Sequence, residues 1–175
     1  IGKIRYLETL VIYGNTNTSL LPSPYRIGNA LAELKYLKNL TISALGITTI
    51  DKNELKEPCK VLRTLDVSGN NFTSIPYDLT PTNYPELLNL SLTGNRRYSS
   101  ITDLSTETRD NPGLRIDASS SSFKNLLKWE KLKSLSLSYN LIYGQLPTFI
   151  NSYNGSLEYG VSAYTDEDIL KNDTL

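Results

Sequence analysis

The sequence predicts an α/β solenoid: stacked coils with a curved parallel sheet of six or seven short strands on one side, and irregular helices and turns on the convex side. Three observations carry this. The stretch LRTLDVSGNNFTSIP, Leu62 to Pro76, fits the template LxxLxLxxNxF followed by IP. The chain repeats the template, as LETLVIYGN from Leu7, LKNLTISAL from Leu37, LLNLSLTGN from Leu87 and LKSLSLSYNLI from Leu132. Within each copy the apolar residues alternate at the two-residue period of a strand. Between copies the spacing is that of one coil in a repeat architecture.

The elements follow in order. Steps between the five clear copies are thirty, twenty-five, twenty-five and forty-five residues. The last is too long for one coil, and a degenerate copy, NPGLRIDAS from Asn111 to Ser119, fits the gap. It places Leu114 and Ile116 at the strand anchors but has no leading Leu. A final copy, NGSLEYGVS from Asn154 to Ser162, has Leu157 and Tyr159 at the anchors. Coils therefore begin near 7, 37, 62, 87, 111, 132 and 154. Strands are predicted around Val11, Thr41, Asp66, Ser91, Arg115, Ser136 and Glu158. No linker or compositional break interrupts 1–175, which reads as a single domain.

Each anchor has a physical role. Leu-x-Leu points both leucines into the coil interior, and one coil buries them only against stacked neighbours. Asn15, Asn70, Asn95 and Asn140 occupy the ninth position, where the chain leaves the strand. An amide there both donates to and accepts from backbone groups that the turn removes from the sheet. This asparagine ladder is interrupted at Leu45, Ser119 and Ser162. Leu45 has no hydrogen-bonding side chain, so its coil is expected to bend differently or recruit water. Phe72, Ile75, Ile47, Ile50, Ile142 and Leu146 supply a second layer of core.

On the outer side, Ser23-Pro24 reads as an N-cap followed by Pro at the first helical position. Ile27, Leu31 and Leu34 then keep one apolar face, which predicts the longest helix from Pro24 to about Tyr36. Ser122, Phe123, Leu126 and Leu127, running on to Trp129 and Leu132, predict a second, short helix. Prolines elsewhere favour turns.

Composition narrows the functional classes. The 175 residues carry 18 basic and 18 acidic side chains, so no net charge favours nucleic acid or an anionic membrane. No apolar run is long enough to span a bilayer. The chain starts at Ile1 rather than Met, as a mature or excised segment would. The single cysteine, Cys59, has no partner for an internal disulfide and reads as a buried thiol. Histidine is absent, which removes the commonest general base and metal ligand. No GxSxG elbow, phosphate loop or zinc spacing is present. The chain is expected to be no enzyme, with no cofactor, no metal and no catalytic residue.

On these motifs the chain resembles the leucine-rich repeat superfamily over essentially its full length. The YGQLP ending of one coil, Tyr143 to Pro147, is similar to the LxGxLP endings of plant-type repeats, which also occur in Bacteroides and its relatives. Irregular coils, abundant Tyr and Asn and the lack of disulfide caps look most like that bacterial group of secreted and cell-surface proteins. The resemblance implies a secreted or surface-exposed binding module, with a protein as the expected partner.

In that fold the third, fifth and seventh positions of each copy face outward on the concave side. Most are Ser, Thr or Asn, so the face is small and hydroxylic. The larger groups, Tyr13, Asp66, Arg115, Asp117 and Glu158, are the candidate anchors for a partner. Arg96 and Arg97, after the fourth strand, form a second candidate patch for an acidic partner. Tyr139, at the eighth position, is a rim aromatic. Against these stand solvated polar side chains with no ligand. Three classes remain: a protein-binding module, a glycan-binding module favoured by hydroxyls but short of stacking aromatics, and a structural spacer displaying another domain.

Overall fold

The computed structural model describes residues 3–14, 26–94, 114–144 and 156–158. Its strands are β1 (Thr9–Tyr13), β2 (Asn39–Ser43), β3 (Thr64–Asp66), β4 (Asn89–Ser91), β5 (Arg115–Asp117), β6 (Ser134–Ser136), β7 (Leu141–Tyr143) and β8 (Ser156–Glu158). Six of them form one sheet in the order β1-β2-β3-β4-β6-β8, and every neighbouring pair is parallel. Like template positions stack: Leu40 lies opposite Leu65, Leu65 opposite Leu90, and Leu90 opposite Leu135. Parallel pairing of adjacent strands requires a long return, and each coil supplies it on the far side.

The core follows the template. The first, fourth and sixth positions of the second to fourth strong copies, and of the copy from Leu132, are all buried. In the first coil Leu7 and Leu10 are only partly buried. A second layer behind the turns holds Ile47, Ile50, Phe72, Leu79, Tyr84, Phe123 and Trp129. Trp129 bridges coils, its indole Nε1 donating to Tyr84 O at 2.9 Å. Tyr84 Oη is buried without a hydrogen-bond partner among the described residues, and burial pushes its phenol pKa up.

One expected coil is corrected. β4 pairs directly with β6, and no strand from 111–119 lies between them. β5 instead pairs with β7 in a separate two-stranded sheet, Ile116 opposite Ile142. Arg115 N also donates to Thr73 O, just past Asn70. β5 thus occupies the segment that follows the ninth-position Asn, one layer behind the main sheet. The forty-five-residue step from Leu87 to Leu132 therefore adds one strand to the main sheet rather than two. Leu114 and Ile116 are still core residues, 0% and 1% exposed, but in the second layer.

The first of the two expected helices is also corrected. Pro24 lies outside the described residues, and within 26–36 the regular piece is a 3-10 turn, Gly28–Leu31. Gly28 takes φ +65°, and its N–H donates to the buried Glu54 carboxylate, so the chain enters the turn from a left-handed residue. Ile27, Leu31 and Leu34 face inward as their spacing implies. The second helix is α1 (Ser121–Leu126), capped by Ser120 Oγ accepting from Phe123 N.

Candidate functional site

The outward face of the main sheet is built from the third, fifth and seventh template positions. Register places Val11, Thr41, Asp66, Ser91 and Ser136 in one row across the strands, continuing to the backbone of Glu158. Short polar side chains bond to each other along the rows. Asn39 Nδ2 donates to Thr9 Oγ1 at 3.1 Å and Asn89 Nδ2 to Thr64 Oγ1 at 3.3 Å. Hydroxyls of Thr93 and Ser136 are 2.7 Å apart, and those of Ser43 and Ser68 are 3.4 Å apart. Much of the hydroxylic face therefore spends its donors internally.

The candidate anchors separate. Tyr13 stands out at the end of β1, 72% exposed, with Val11 beside it on the same face. Asp66 is half-buried on β3, and its carboxylate accepts from Ser68 N at 3.0 Å. Tyr139 lies in the turn after β6 at φ +59°, 66% exposed. Arg115 and Asp117 are not on this sheet: β5 puts them beside β7, away from Asp66. Asp117 is engaged locally, accepting from Ser119 Oγ and N, and these bonds hold its carboxyl below the ordinary carboxylate range. Arg96 and Arg97 lie outside the described residues, as do Asn15 and Asn95 of the asparagine ladder.

The two described ladder residues hold the turns. Asn70 is buried, its Nδ2 donating to Ile42 O at 2.7 Å and Val67 O at 2.8 Å, while Oδ1 accepts from Leu45 N and Ile47 N. Asn70 thus serves the coil whose own ninth residue is Leu45. Leu45 N and Ile47 N are satisfied by the amide of the next coil. Asn140 donates to Leu92 O and Leu137 O, which ties the fourth and sixth strands together in the same way.

Three features escape a reading of the template positions alone. Tyr6 and Tyr36, each one residue before a leading Leu, stack with ring centroids 5.5 Å apart. Basic side chains recur at the second position, as Lys38, Arg63 and Lys133. Aligning the coils from two residues upstream of each Leu brings out both patterns. Third, a cleft of about 440 Å³ opens between the turns at 75–83 and α1, lined by Lys52, Tyr77, Asp78, Asn83, Ser121 and Asn125 among others. Its polar groups are partly committed, Lys52 N and Asn83 Nδ2 both donating to Asp78.

Buried polar chemistry elsewhere is structural. Glu54, 4% exposed, accepts from Arg26 Nε, Gly28 N and Asp51 N, which pins the first return loop to the second. The Asn53 N–H foremost, and then Arg26, hold the Asp51 carboxyl below its ordinary range. Cys59 is a buried free thiol, its pKa raised by burial, and its Sγ donates to Lys56 O. Among the described residues no cluster of three metal-ligating side chains forms, and no helix is long and apolar enough to cross a membrane.

The family model for the leucine-rich repeat matches residues 61–81 and 131–153. These two segments contain β3 and β6, with their asparagines Asn70 and Asn140. Matched motif and parallel coils together support a leucine-rich repeat protein. No curated protein matches the chain.

Proposed function

We propose that this chain is a non-catalytic module that binds a protein through the outward face of its six-stranded sheet. Leucine-rich repeats in general mediate protein–protein contacts, which agrees with this reading. The observation that carries it is the sheet itself, a continuous in-register surface from β1 to β8. Among the described residues the returning segments on the far side are turns, two short 3-10 pieces (Gly28–Leu31 and Pro58–Lys60) and one six-residue helix. Tyr13 and Val11 supply the apolar contact area that hot spots need, and Asp66 supplies charge. The small hydroxylic side chains around Asp66 give register and solubility rather than affinity.

The setting we propose, a bacterial cell surface, rests on the resemblance of the Tyr143–Pro147 ending, the irregular coil lengths, the abundant Tyr and Asn and the lack of disulfide caps. Immobilised domain, incubated with a surface-protein extract and in parallel with a glycan array, tests the function. A retained protein should protect β1–β4 in hydroxyl-radical footprinting. Tyr13→Ala with Asp66→Ala should weaken it at least about tenfold, or about 1.4 kcal/mol, with an unchanged melting temperature. Binding to the array without a protein partner, or a footprint confined to the far side, would overturn the reading.

A further inference from the structure

The edge at which the strands begin has a chemistry of its own. Backbone hydrogen bonds stack one column of residues there. Lys38 N and Asn39 N donate to Glu8 O, Arg63 N and Thr64 N to Lys38 O, Leu88 N and Asn89 N to Arg63 O, and Lys133 N and Ser134 N to Leu88 O. Side chains at this position therefore recur at the spacing of adjacent strands, roughly 4.8 Å. One residue upstream of each leading Leu runs a second row, in which Tyr6 stacks on Tyr36 and Lys131 pairs with Glu86. The local geometry repeats, since Leu7 N, Leu37 N and Leu87 N each donate to the carbonyl three residues back.

The charges on this edge do not cancel. Glu8 is taken by Lys38 at 2.8 Å and Glu86 by Lys131. The side chains of Arg5, Lys35, Arg63 and Lys133 are exposed, with no ion-pair partner among the described residues, against one exposed carboxylate on the edge in the same condition, Glu130. Beside them Tyr6 is 81% exposed and Tyr36 48%. Arg and Tyr over an unneutralised positive strip are the residue types enriched at protein interfaces.

We propose that this edge docks an acidic segment of a partner protein, laid across the coils, with its acids opposite Arg63 and Lys133 and an apolar side chain on the Tyr6–Tyr36 stack. A nucleic acid or sulfated glycan fits less well. Its uniform charge would pass over Glu8 and Glu86, whose side chains remain 58% and 43% exposed within the same strip. A polypeptide can space its acids to avoid them. The inference rests on the protein-binding reading but uses a different surface from the sheet face, so the two fail separately. Exposed ion pairs are individually weak and screened by salt, so binding here is multivalent and salt-sensitive.

The test is fluorescence anisotropy with a fluorescein-labelled peptide of alternating glutamate and tyrosine, against its lysine–tyrosine counterpart, a thymidine oligonucleotide and heparin. The glutamate peptide should bind at about 0.05 M salt and weaken on going to about 0.15 M, while the lysine peptide does not bind. Arg63→Glu with Lys133→Glu should weaken it at least about tenfold. The milder Arg63→Gln with Lys133→Gln should follow in the same direction, and Tyr6→Ser should weaken it independently. Tyr13→Ala with Asp66→Ala should leave it unchanged. No binding of the glutamate peptide at low salt, the same affinity in both charge variants, or tighter binding of the oligonucleotide or heparin would overturn the proposal.

Discussion

Asn70 shows how much one side chain does in this architecture. Backbone groups from two coils, among them Ile42 O, Val67 O, Leu45 N and Ile47 N, meet a single buried amide. Ile42 lies near the end of β2 and the others lie just past the strands, where the chain leaves the sheet and no strand neighbour replaces the lost bonds. A buried group left unpaired costs about 1–3 kcal/mol, and Asn70→Ala exposes several such groups at once. We expect it to lower stability by about 3 kcal/mol or more in urea titration, with little change in the slope. Asn53→Ala, on an exposed turn, should shift stability by less than about 0.5 kcal/mol. Similar midpoints for the two would remove the role assigned to the ninth position. The same amide offsets part of what Leu45 lacks, because Ile42 O, the carbonyl three residues before position 45, is satisfied from the next coil.

At the scale of elements, the turn before the ninth residue has the same left-handed residue in the copies from Leu37, Leu62, Leu87 and Leu132. Ala44, Gly69, Gly94 and Tyr139 all occupy the eighth position, with φ of 56°, 67°, 63° and 59°. Two glycines here make contrasting demands. A Cβ on Gly69 would meet nothing nearer than Ala44 N at 3.5 Å, so Gly69→Ala should cost only the left-handed penalty, about 1 kcal/mol. A Cβ on Gly14 would lie 2.1 Å from Ala44 O, against backbone that cannot swing aside. Gly14→Ala should therefore cost about 3 kcal/mol and loosen the pairing of β1 with β2. Hydrogen exchange at Gly14 N, which donates to Ser43 O, should accelerate in Gly14→Ala and not in Gly69→Ala. Strand anchors such as Leu65, Leu90 and Leu135 were legible in the sequence because burial enforces their period directly. The place of β5 was not. Leu114-x-Ile116 alternates as a strand in either layer, and a two-residue period does not say which sheet receives it. The discriminating signal was Asn111 in place of a leading Leu together with Ser119 at the ninth position. LRID aligns with LIY after Asn140, not with the LSLS strand before it. The helix expected to begin at Pro24 foundered on Gly28, whose freedom at positive φ outweighs the helical spacing of Ile27, Leu31 and Leu34. For the candidate site, the template told which residues face outward on β1–β4 but not that Asp117 would turn to Ser119. Nor did it draw attention to Tyr6 and Tyr36, which stand outside its nine positions.

Across the whole molecule, stability is carried from coil to coil, since a stack has no single centre and each interface supports its two neighbours. The end of the stack should then differ from its middle. Leu65 is 0% exposed, flanked by Leu40 on one side and Leu90 on the other. Leu10 holds the same template position in β1 but pairs only with Leu40 among the described strands and is partly buried. Truncating a fully buried leucine removes its transfer energy and leaves a cavity, together about 2–5 kcal/mol, and Leu65→Ala should fall in the upper half of that range. Leu10→Ala opens no enclosed cavity, so its cost should be roughly half as large, on the order of 1–2 kcal/mol. Their effects on hydrogen exchange should also differ in reach. Leu65→Ala should speed exchange on β2, β3 and β4 together, because it weakens both flanking interfaces. Leu10→Ala should speed exchange on β1 and the turn at Gly14 while β4 and β6 keep their protection. Uniform acceleration by both variants would mean that the stack melts as one indivisible unit. That outcome would also bear on binding, because a partner seated on β1 through Tyr13 and Val11 would then stabilise the far coils as strongly as the near ones.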